Sequence, residues 1–381
     1  MRFFLEDRFI EILGEVTTVA VAMSGGVDSS TAAALMSEQG KAQGFNVIGV
    51  TMKLWDAGKS GELNDKTCCT LDSSMDARRV CDQLGIAHYT LDMTEDFDRL
   101  VMEPFYQAYL KAQTPNPCVN CNSFVKWDAL WSKVKSIGVS HLATGHYAET
   151  ENADGRVYIY RGQDRAKDQS YFLWGIPPEN LQSTLFPVTG MTKSEVRDIA
   201  RQAGLQTADK SESMDICFIP DGDKNKFLQN RADERGDVFE KGKIQGPDGK
   251  ELGKHDGLQY FTVGQRKGLG VAAGEPLYVT QLDRETNTLM LGRKGALKSS
   301  EFHVDELNWF PKEKSTEGMD LKIQVRYRSP AIEGHLEFEV NLDGSVKVLL
   351  DSPAMSVTPG QSAVFYDGDR VVGGGIIRAS V

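Results

Sequence analysis

The chain has 381 residues, 40 % of them hydrophobic and 25 % charged, with a formal net charge of −11 at neutral pH. That length exceeds what one core ordinarily serves and suits two or three domains, while no apolar run approaches the roughly 18 residues that span a bilayer. The acidic average argues mildly against nucleic acid, so any such reading rests on local basic clusters. Met1 to Val16 scatters Glu6, Asp7, Glu11 and Glu15 among apolar residues, which suits neither a secretory signal nor a transit peptide. A cytoplasmic protein with no membrane partner is expected. The six cysteines are Cys68, Cys69, Cys81, Cys118, Cys121 and Cys217; in so long a chain they point to catalysis or metal binding rather than a disulfide framework.

From Thr17 to Gly204, short apolar runs alternate with amphipathic stretches. Strands are expected at Val19 to Met23, Asn46 to Leu54, His88 to Asp92 and His141 to Thr144. Helices are expected at Ser29 to Gln39, Ser74 to Leu84 and Asp96 to Ala112. A further helix follows the Pro-rich Thr114 to Pro117, with Phe124, Trp127, Leu130, Trp131 and Val134 near one face. Strand–helix alternation implies an α/β domain with a parallel sheet covered on both faces. Beyond Asp221 turn signals multiply, and His335 to Val340, the turn Asn341-Leu-Asp-Gly-Ser and Val346 to Leu350 form a hairpin signature. Three domains are expected: a catalytic domain at 1–217, a small β-rich linking domain at 218–298, and a C-terminal β-barrel at 299–381.

The sharpest motif is Ser24-Gly-Gly-Val-Asp-Ser-Ser30, set between an apolar strand and a helix. Gly25 and Gly26 allow close approach of an anion and tolerate positive φ, and the helix start offers N–H groups and a positive dipole end to phosphate. The loop lacks the Gly-Lys-Ser/Thr ending of a Walker A loop, so positive charge must come from a metal near Asp28 or from lysines elsewhere. The heptad resembles the pyrophosphate loop of the ATP pyrophosphatases, which implies cleavage of ATP between its α- and β-phosphates and adenylation of an acceptor oxygen.

A nucleophile must then displace AMP, and a sulfur nucleophile needs a thiolate or persulfide beside the nucleotide. Cys118 and Cys121 sit in Pro115-Asn-Pro-Cys-Val-Asn-Cys-Asn122, with Cys121 just ahead of the predicted helix; Cys217 lies in Ser213-Met-Asp-Ile-Cys-Phe-Ile219. Cys68, Cys69 and Cys81 read as small buried side chains. From about Val19 to Ile377 the chain resembles the tRNA-specific 2-thiouridylases. The matching segments include Ser24 to Ser30, Met52-Lys-Leu-Trp55, Thr114 to Asn122, Ala143-Thr-Gly-His-Tyr147, Lys167-Asp-Gln-Ser-Tyr-Phe-Leu173, Asp215-Ile-Cys-Phe218, Gly264-Gln-Arg-Lys-Gly-Leu-Gly270 and Thr358-Pro-Gly-Gln-Ser362.

The resemblance implies that ATP, with Mg²⁺, is held by Ala22, Met23, Ser24, Gly25, Gly26, Val27, Asp28 and Ser29, with Met52 and Gly145. It implies that Cys217 carries a persulfide received from a sulfur donor, a cysteine desulfurase or relay protein. Cys121 is then its partner, releasing sulfide or resolving the persulfide as a disulfide. Asn116, Pro117 and Cys118 border the target base, and His146, Lys167, Asp168, Gln169, Arg326, Tyr327 and Gln361 touch tRNA. At Cys118 many family members have Asp, proposed to assist proton transfer. Cys118, Cys121 and Cys217 could alternatively hold an iron–sulfur cluster. Gln265-Arg-Lys-Gly and Val325-Arg-Tyr-Arg-Ser supply basic clusters for RNA, though each alone also suits a solvated turn or edge strand, and His146 could equally be a scaffold histidine. The rival readings are a superfamily ligase using ammonia or an amine, which needs neither cysteine, and a non-catalytic sulfur-relay protein.

Overall fold

A computed structural model describes residues 17–55, 71–153, 155–211, 216–219, 222–311, 318–338 and 344–378. Met1 to Val16, Cys68, Cys69, residues 213–215 and the turn at 341–343 lie outside the described residues. In chain order the first elements are β1 (Thr18–Ala22), α1 (Val27–Gln43), β2 (Asn46–Lys53), α2 (Leu71–Leu84), β3 (Ala87–Asp92) and α3 (Thr94–Phe97). There follow α4 (Glu103–Leu110), α5 (Pro117–Asn120), α6 (Trp131–Lys135), β4 (His141–Thr144), β5 (Ala148–Ala153), β6 (Arg156–Arg161), β7 (Thr184–Leu185) and α7 (Lys193–Gln202). The remainder comprises α8 (Lys224–Arg235), β8 (Gly242–Gln245), β9 (Glu251–His255), β10 (Tyr278–Asp283), β11 (Thr288–Gly292), β12 (Lys298–Trp309), β13 (Met319–Gln324), β14 (Ile332–Phe338), β15 (Val346–Met355), β16 (Ser362–Asp367) and β17 (Arg370–Ile377).

These elements fall into two compact units. The first is drawn from Met1–Val101, Cys118–Asp221 and Asp369–Val371, the second from Met102–Pro117, Gly222–Gly368 and Val372–Val381. The first unit carries a five-stranded sheet in the order β3-β2-β1-β4-β7, with every neighbouring pair parallel. The apolar run of β1 explains its central place: Val19, Ala20 and Val21 are fully buried, as a strand covered on both faces requires. The core around it includes Val27, Ala32, Ala33 and Met36 of α1, Val196 and Ala200 of α7, and Val80 and Cys81 of α2. Cys81 is thus a packing residue, and burial pushes its thiol pKa up to about 12.

Two helical expectations need correction. The predicted helix from Asp96 to Ala112 is α3, a π-helical turn over Asp98–Met102, and α4 in succession. The helix predicted after Pro117 already includes Pro117: α5 runs into a π-helical stretch over Cys121–Leu130 and then α6. Pro at a helix start gives up no intrahelical hydrogen bond, so helix and Pro are compatible there. Cys118 and Cys121 therefore lie on the helix itself, not ahead of it. The π geometry also shifts the buried face: Val125, Trp127, Leu130, Trp131 and Val134 are buried, whereas Phe124 is 46 % exposed.

The second unit holds two β-cores. A four-stranded sheet in the order β10-β11-β8-β9 packs Ile244, Val279, Leu289 and Leu291. The order β12-β15-β14-β13-β16-β17 closes through a β12–β17 pairing into a six-stranded antiparallel barrel around Val304, Leu336, Val348 and Phe365. The predicted hairpin is present as β14 paired antiparallel with β15. Among the described residues no helix is long and apolar enough to cross a membrane.

Candidate active site

The order β3-β2-β1-β4 reverses direction at β1, since β2 lies on one side of it and β4 on the other. In an open parallel sheet the crevice at the carboxyl ends of two such strands is the place where ligands bind. The glycine loop follows β1 at this point, and Gly145 and His146 follow β4. Gly25 takes φ +70°, while Gly26 is extended at φ −94° and forms the N-cap of α1 without any side-chain cap bond. The first N–H groups of α1 are therefore available to an anion. Met23 and Val27 turn their side chains into the core.

Hydroxyls hold the loop in shape. Ser24 N donates to Ser29 Oγ at 3.2 Å, Ser29 Oγ to Gly26 O at 3.1 Å, and Ser30 Oγ to Gly26 O at 2.8 Å. The β4 turn presses close: a Cβ on Gly145 would lie 2.6 Å from both Asp28 C and Ser29 N, so only glycine fits. Met52, half-buried, lies two residues beyond Val50, whose carbonyl accepts from Met23 N at 2.8 Å.

The positive charge at the loop comes from lysines that the sequence reading passed over. Lys193 Nζ donates to both carboxylate oxygens of Asp28 at 2.7 and 2.8 Å, and Tyr147 Oη donates to Asp28 Oδ1 at 2.7 Å. Lys193 also lies over the Tyr147 ring, 5.6 Å from its centroid. Lys210 Nζ donates to Gly25 O at 3.0 Å and to Asp76 at 2.8 Å, tying the loop to α2. The signal for Lys193 was present in the capping box Thr192 to Glu195, which makes Lys193 the first residue of α7. Lys210, in an irregular segment, left no such mark.

The cysteine helix joins the same unit. Asn122 Nδ2 donates to Phe172 O at 3.0 Å, and Lys126 Nζ donates to Asn122 Oδ1 at 2.8 Å and contacts His146 Nε2 at 3.3 Å. His146 Nδ1 bonds Thr144 Oγ1 at 2.8 Å, and its ring contacts Trp127 and Phe186. This desolvation, with Lys126 second, pushes the imidazole pKa well below its ordinary value, so the ring is neutral at pH 7. The sequence predicts a row of RNA contacts over Lys167, Asp168 and Gln169. There the Asp168 carboxylate accepts from Gly162 N, Ser170 N, Ser170 Oγ and Arg161 Nη1, each at 3.0 Å. Gln169 Oε1 accepts from Tyr147 N at 3.0 Å. Both side chains are committed to holding the loop; Lys167 is half-buried.

Cys118, exposed, Cys121 and Cys217, both half-buried, are thiols rather than disulfide sulfurs. Phe218, next to Cys217, packs edge-on against Phe97 of α3 at 5.8 Å, and α3 also packs against the π-helical stretch that carries Cys121. Among the described residues no group of three or more His, Cys, Asp or Glu side chains is arranged to hold a metal ion. The remaining predicted residues belong to the second unit. There Arg326 Nη2 donates to Val263 O at 3.1 Å and to Thr358 Oγ1 at 2.6 Å, and Gln361 Nε2 donates to Thr114 O at 2.9 Å. Tyr327 is half-buried beside Arg328, and Asn116 and Pro117 close the segment that precedes Cys118.

Family profiles match the chain in three successive stretches: a tRNA methyl transferase HUP domain over residues 17–221, a tRNA methyl transferase PRC-barrel domain over 225–293, and an aminomethyltransferase β-barrel domain over 299–377. Among curated relatives, the tRNA-specific 2-thiouridylase MnmA of Geotalea uraniireducens is 45 % identical over 368 residues, covering 95 % of each chain. That of Amoebophilus asiaticus is 44 % identical over 367 residues, again covering 95 % of each. Of solved structures, the U34-tRNA thiolase NcsA from Methanococcus maripaludis with its 4Fe-4S cluster aligns over 60 % of this chain and 69 % of that one. Its 17 % identity and TM-score of 0.37 are too low to bear on the chemistry here.

Proposed function

The chain belongs to the tRNA-specific 2-thiouridylase family, and on that premise we propose that it converts the wobble uridine of tRNA to 2-thiouridine with ATP and a cysteine-borne sulfur. The observation that carries the reading is one unit holding both an uncapped helix start behind a glycine loop, at the switch point of a parallel sheet, and the thiols of Cys118, Cys121 and Cys217. The loop from Ala22 to Ser29 cradles the phosphates of ATP through its backbone N–H groups. Mg²⁺ arrives with the triphosphate as part of the substrate, for which the single carboxylate of Asp28 suffices as a protein ligand. Lys193 leaves Asp28 in part to neutralise the departing pyrophosphate, and Met52 and Gly145 border the nucleotide.

In the first step the uridine C2 oxygen attacks the α-phosphorus, pyrophosphate leaves and the base is adenylated. In the second, the terminal sulfur of a Cys217 persulfide attacks C2 and AMP departs with the original oxygen. The Cys121 thiolate then attacks Cys217 Sγ, freeing the thiocarbonyl and leaving a Cys121–Cys217 disulfide. If Cys121 attacks first, hydrosulfide is released to do the same work and the same disulfide results. Two electrons pass from the cysteines to the transferred sulfur, and thiols of the donor protein restore them. Both half-buried cysteines beside elements that pack on α3 support this pairing. Cys118, exposed on the first turn of its helix, takes the place of the family's Asp; a helix start favours an anion there, so its thiolate can accept the uridine proton.

On this reading the domains divide at 1–217, 218–298 and 299–381, Arg326, Tyr327 and the loop at 167–169 meet tRNA, and the protein works in the cytoplasm with a persulfide donor. The test is mass spectrometry of tRNA nucleosides after reaction with ATP and a sulfur source. Wild type yields 2-thiouridine, whereas Cys121→Ser and Cys217→Ser lower the yield by on the order of 10³-fold or more. Full activity of both variants would transfer the chain to the ammonia- or amine-using ligases.

A further inference from the structure

Within the first unit, one lysine bridges the cysteine helix and the turn that abuts the nucleotide loop. Cys121 opens the π-helical stretch Cys121–Leu130, and Lys126 follows one turn along a helix wound by i→i+5 bonds. Lys126 Nζ donates to Asn122 Oδ1 at 2.8 Å and to His146 Nε2 at 3.3 Å. Asn122 is the neighbour of Cys121, and His146 follows Gly145, which lies against the backbone of Asp28 and Ser29. Both acceptors are held from behind. Asn122 Nδ2 donates to Phe172 O at 3.0 Å. An ammonium only donates, so the neutral His146 ring accepts at Nε2 and carries its proton on Nδ1, which donates to Thr144 Oγ1 at 2.8 Å. Among the described residues no carboxylate pairs with Lys126, whereas Lys193 meets Asp28 and Lys210 meets Asp76. Two of the three ammonium donors are thus spent on neutral groups, and a half-buried positive charge is balanced by no acidic side chain.

We propose that Lys126 is a catalytic residue of the sulfur step, whose ammonium meets the oxygen that leaves uridine C2 with AMP. This role rests on the two-step chemistry proposed above and deepens it. In the sulfur step a C2–S bond forms, the C2–O bond breaks, and its electron pair passes to the departing phosphate oxygen; no proton leaves the ammonium. A fixed cation there stabilises the growing charge. In adenylation the same oxygen gives electron density to phosphorus, so a cation beside it brings no gain. Lys193 then serves the pyrophosphate and Lys126 the AMP. Asn122 and His146 act as positioning residues for the ammonium, a role that stands alongside the tRNA contact expected of His146.

The experiment compares wild type with Lys126→Gln, which keeps an N–H donor without the charge, and Lys126→Arg, which keeps the charge; thermal unfolding checks the fold. Pyrophosphate release reads adenylation, single-turnover 2-thiouridine formation reads sulfur transfer, and calorimetry reads affinity for AMP and for adenosine. Lys126→Gln is expected to release pyrophosphate within about threefold of wild type and to transfer sulfur about 100-fold more slowly. It is also expected to bind AMP about tenfold more weakly, with adenosine affinity unchanged. Lys126→Arg is expected to transfer sulfur faster than Lys126→Gln. Equal slowing of both steps would overturn the assignment and make Lys126 part of the scaffold. Unchanged sulfur transfer, an arginine variant no faster than the glutamine one, or equal losses for AMP and adenosine would overturn it too. Should wild type itself form no 2-thiouridine, the proposed function fails, and the ratio of AMP to adenosine affinity still decides the place of Lys126.

Discussion

At Gly145 a single hydrogen in place of a side chain lets the β4 turn lie against the backbone of Asp28 and Ser29. Gly145→Ala puts a methyl where no atom fits, and overpacking of this kind costs about 1–3 kcal/mol. Because the displaced atoms are those of the phosphate loop, the ATP dissociation constant is expected to rise by about 10- to 100-fold. Titration calorimetry with ATP measures this, and unchanged affinity would contradict the placement of Gly145 at the nucleotide. His146 supplies a second test. Folding holds its ring neutral, while the unfolded ring takes up a proton below about pH 6.5. Its contribution to stability is therefore complete above that pH and falls as pH drops below it, by up to about 1.4 kcal/mol per unit. His146→Gln is expected to lose less Tm than wild type between pH 7 and pH 5. His88 and His255 are depressed by burial in the same direction, so only the difference between the proteins isolates His146.

Among the elements, α7 shows how charge reaches the loop. Its capping box sets Lys193 at the helix start, from which the ammonium meets Asp28. Lys193→Met is expected to slow AMP formation by about 10- to 100-fold, by loss of a cation at the developing pyrophosphate charge. Unchanged AMP formation at saturating ATP would remove Lys193 from the site. The parallel strands and the loop were legible in the sequence because apolar runs between glycine signals have few other solutions. The cysteine helix was legible as a helix, but not its start or winding. A proline reads as a break, yet at the first helical position it is tolerated. The 3.6-residue period placed Phe124 with the buried residues, whereas the π-helical stretch exposes it. Lys210 was not legible: its bond to Gly25 spans 185 residues, and nothing local requires it.

For the whole molecule, the chain order of the units is itself informative. Residues 102–117 interrupt the α/β unit and belong with the β-rich one, which no periodicity or composition signals, since α4 reads like any amphipathic helix. Within the second unit this segment is held by Tyr106 Oη donating to Asp237 at 2.7 Å, by Phe105 against Phe227, and by Lys224 Nζ 4.3 Å from the Tyr109 ring. Pro117 thus stands where this segment passes into the helix of Cys118 and Cys121. The most direct measurement loads purified protein with labelled sulfur as a persulfide, maps the label to its cysteine, and then adds ATP and tRNA for a single turnover. The account predicts that label begins on Cys217 and appears in 2-thiouridine with one AMP per sulfur, leaving Cys121 and Cys217 joined as a disulfide. Label that stays on the protein while AMP forms, or that reaches tRNA from the Cys217→Ser variant, would contradict it.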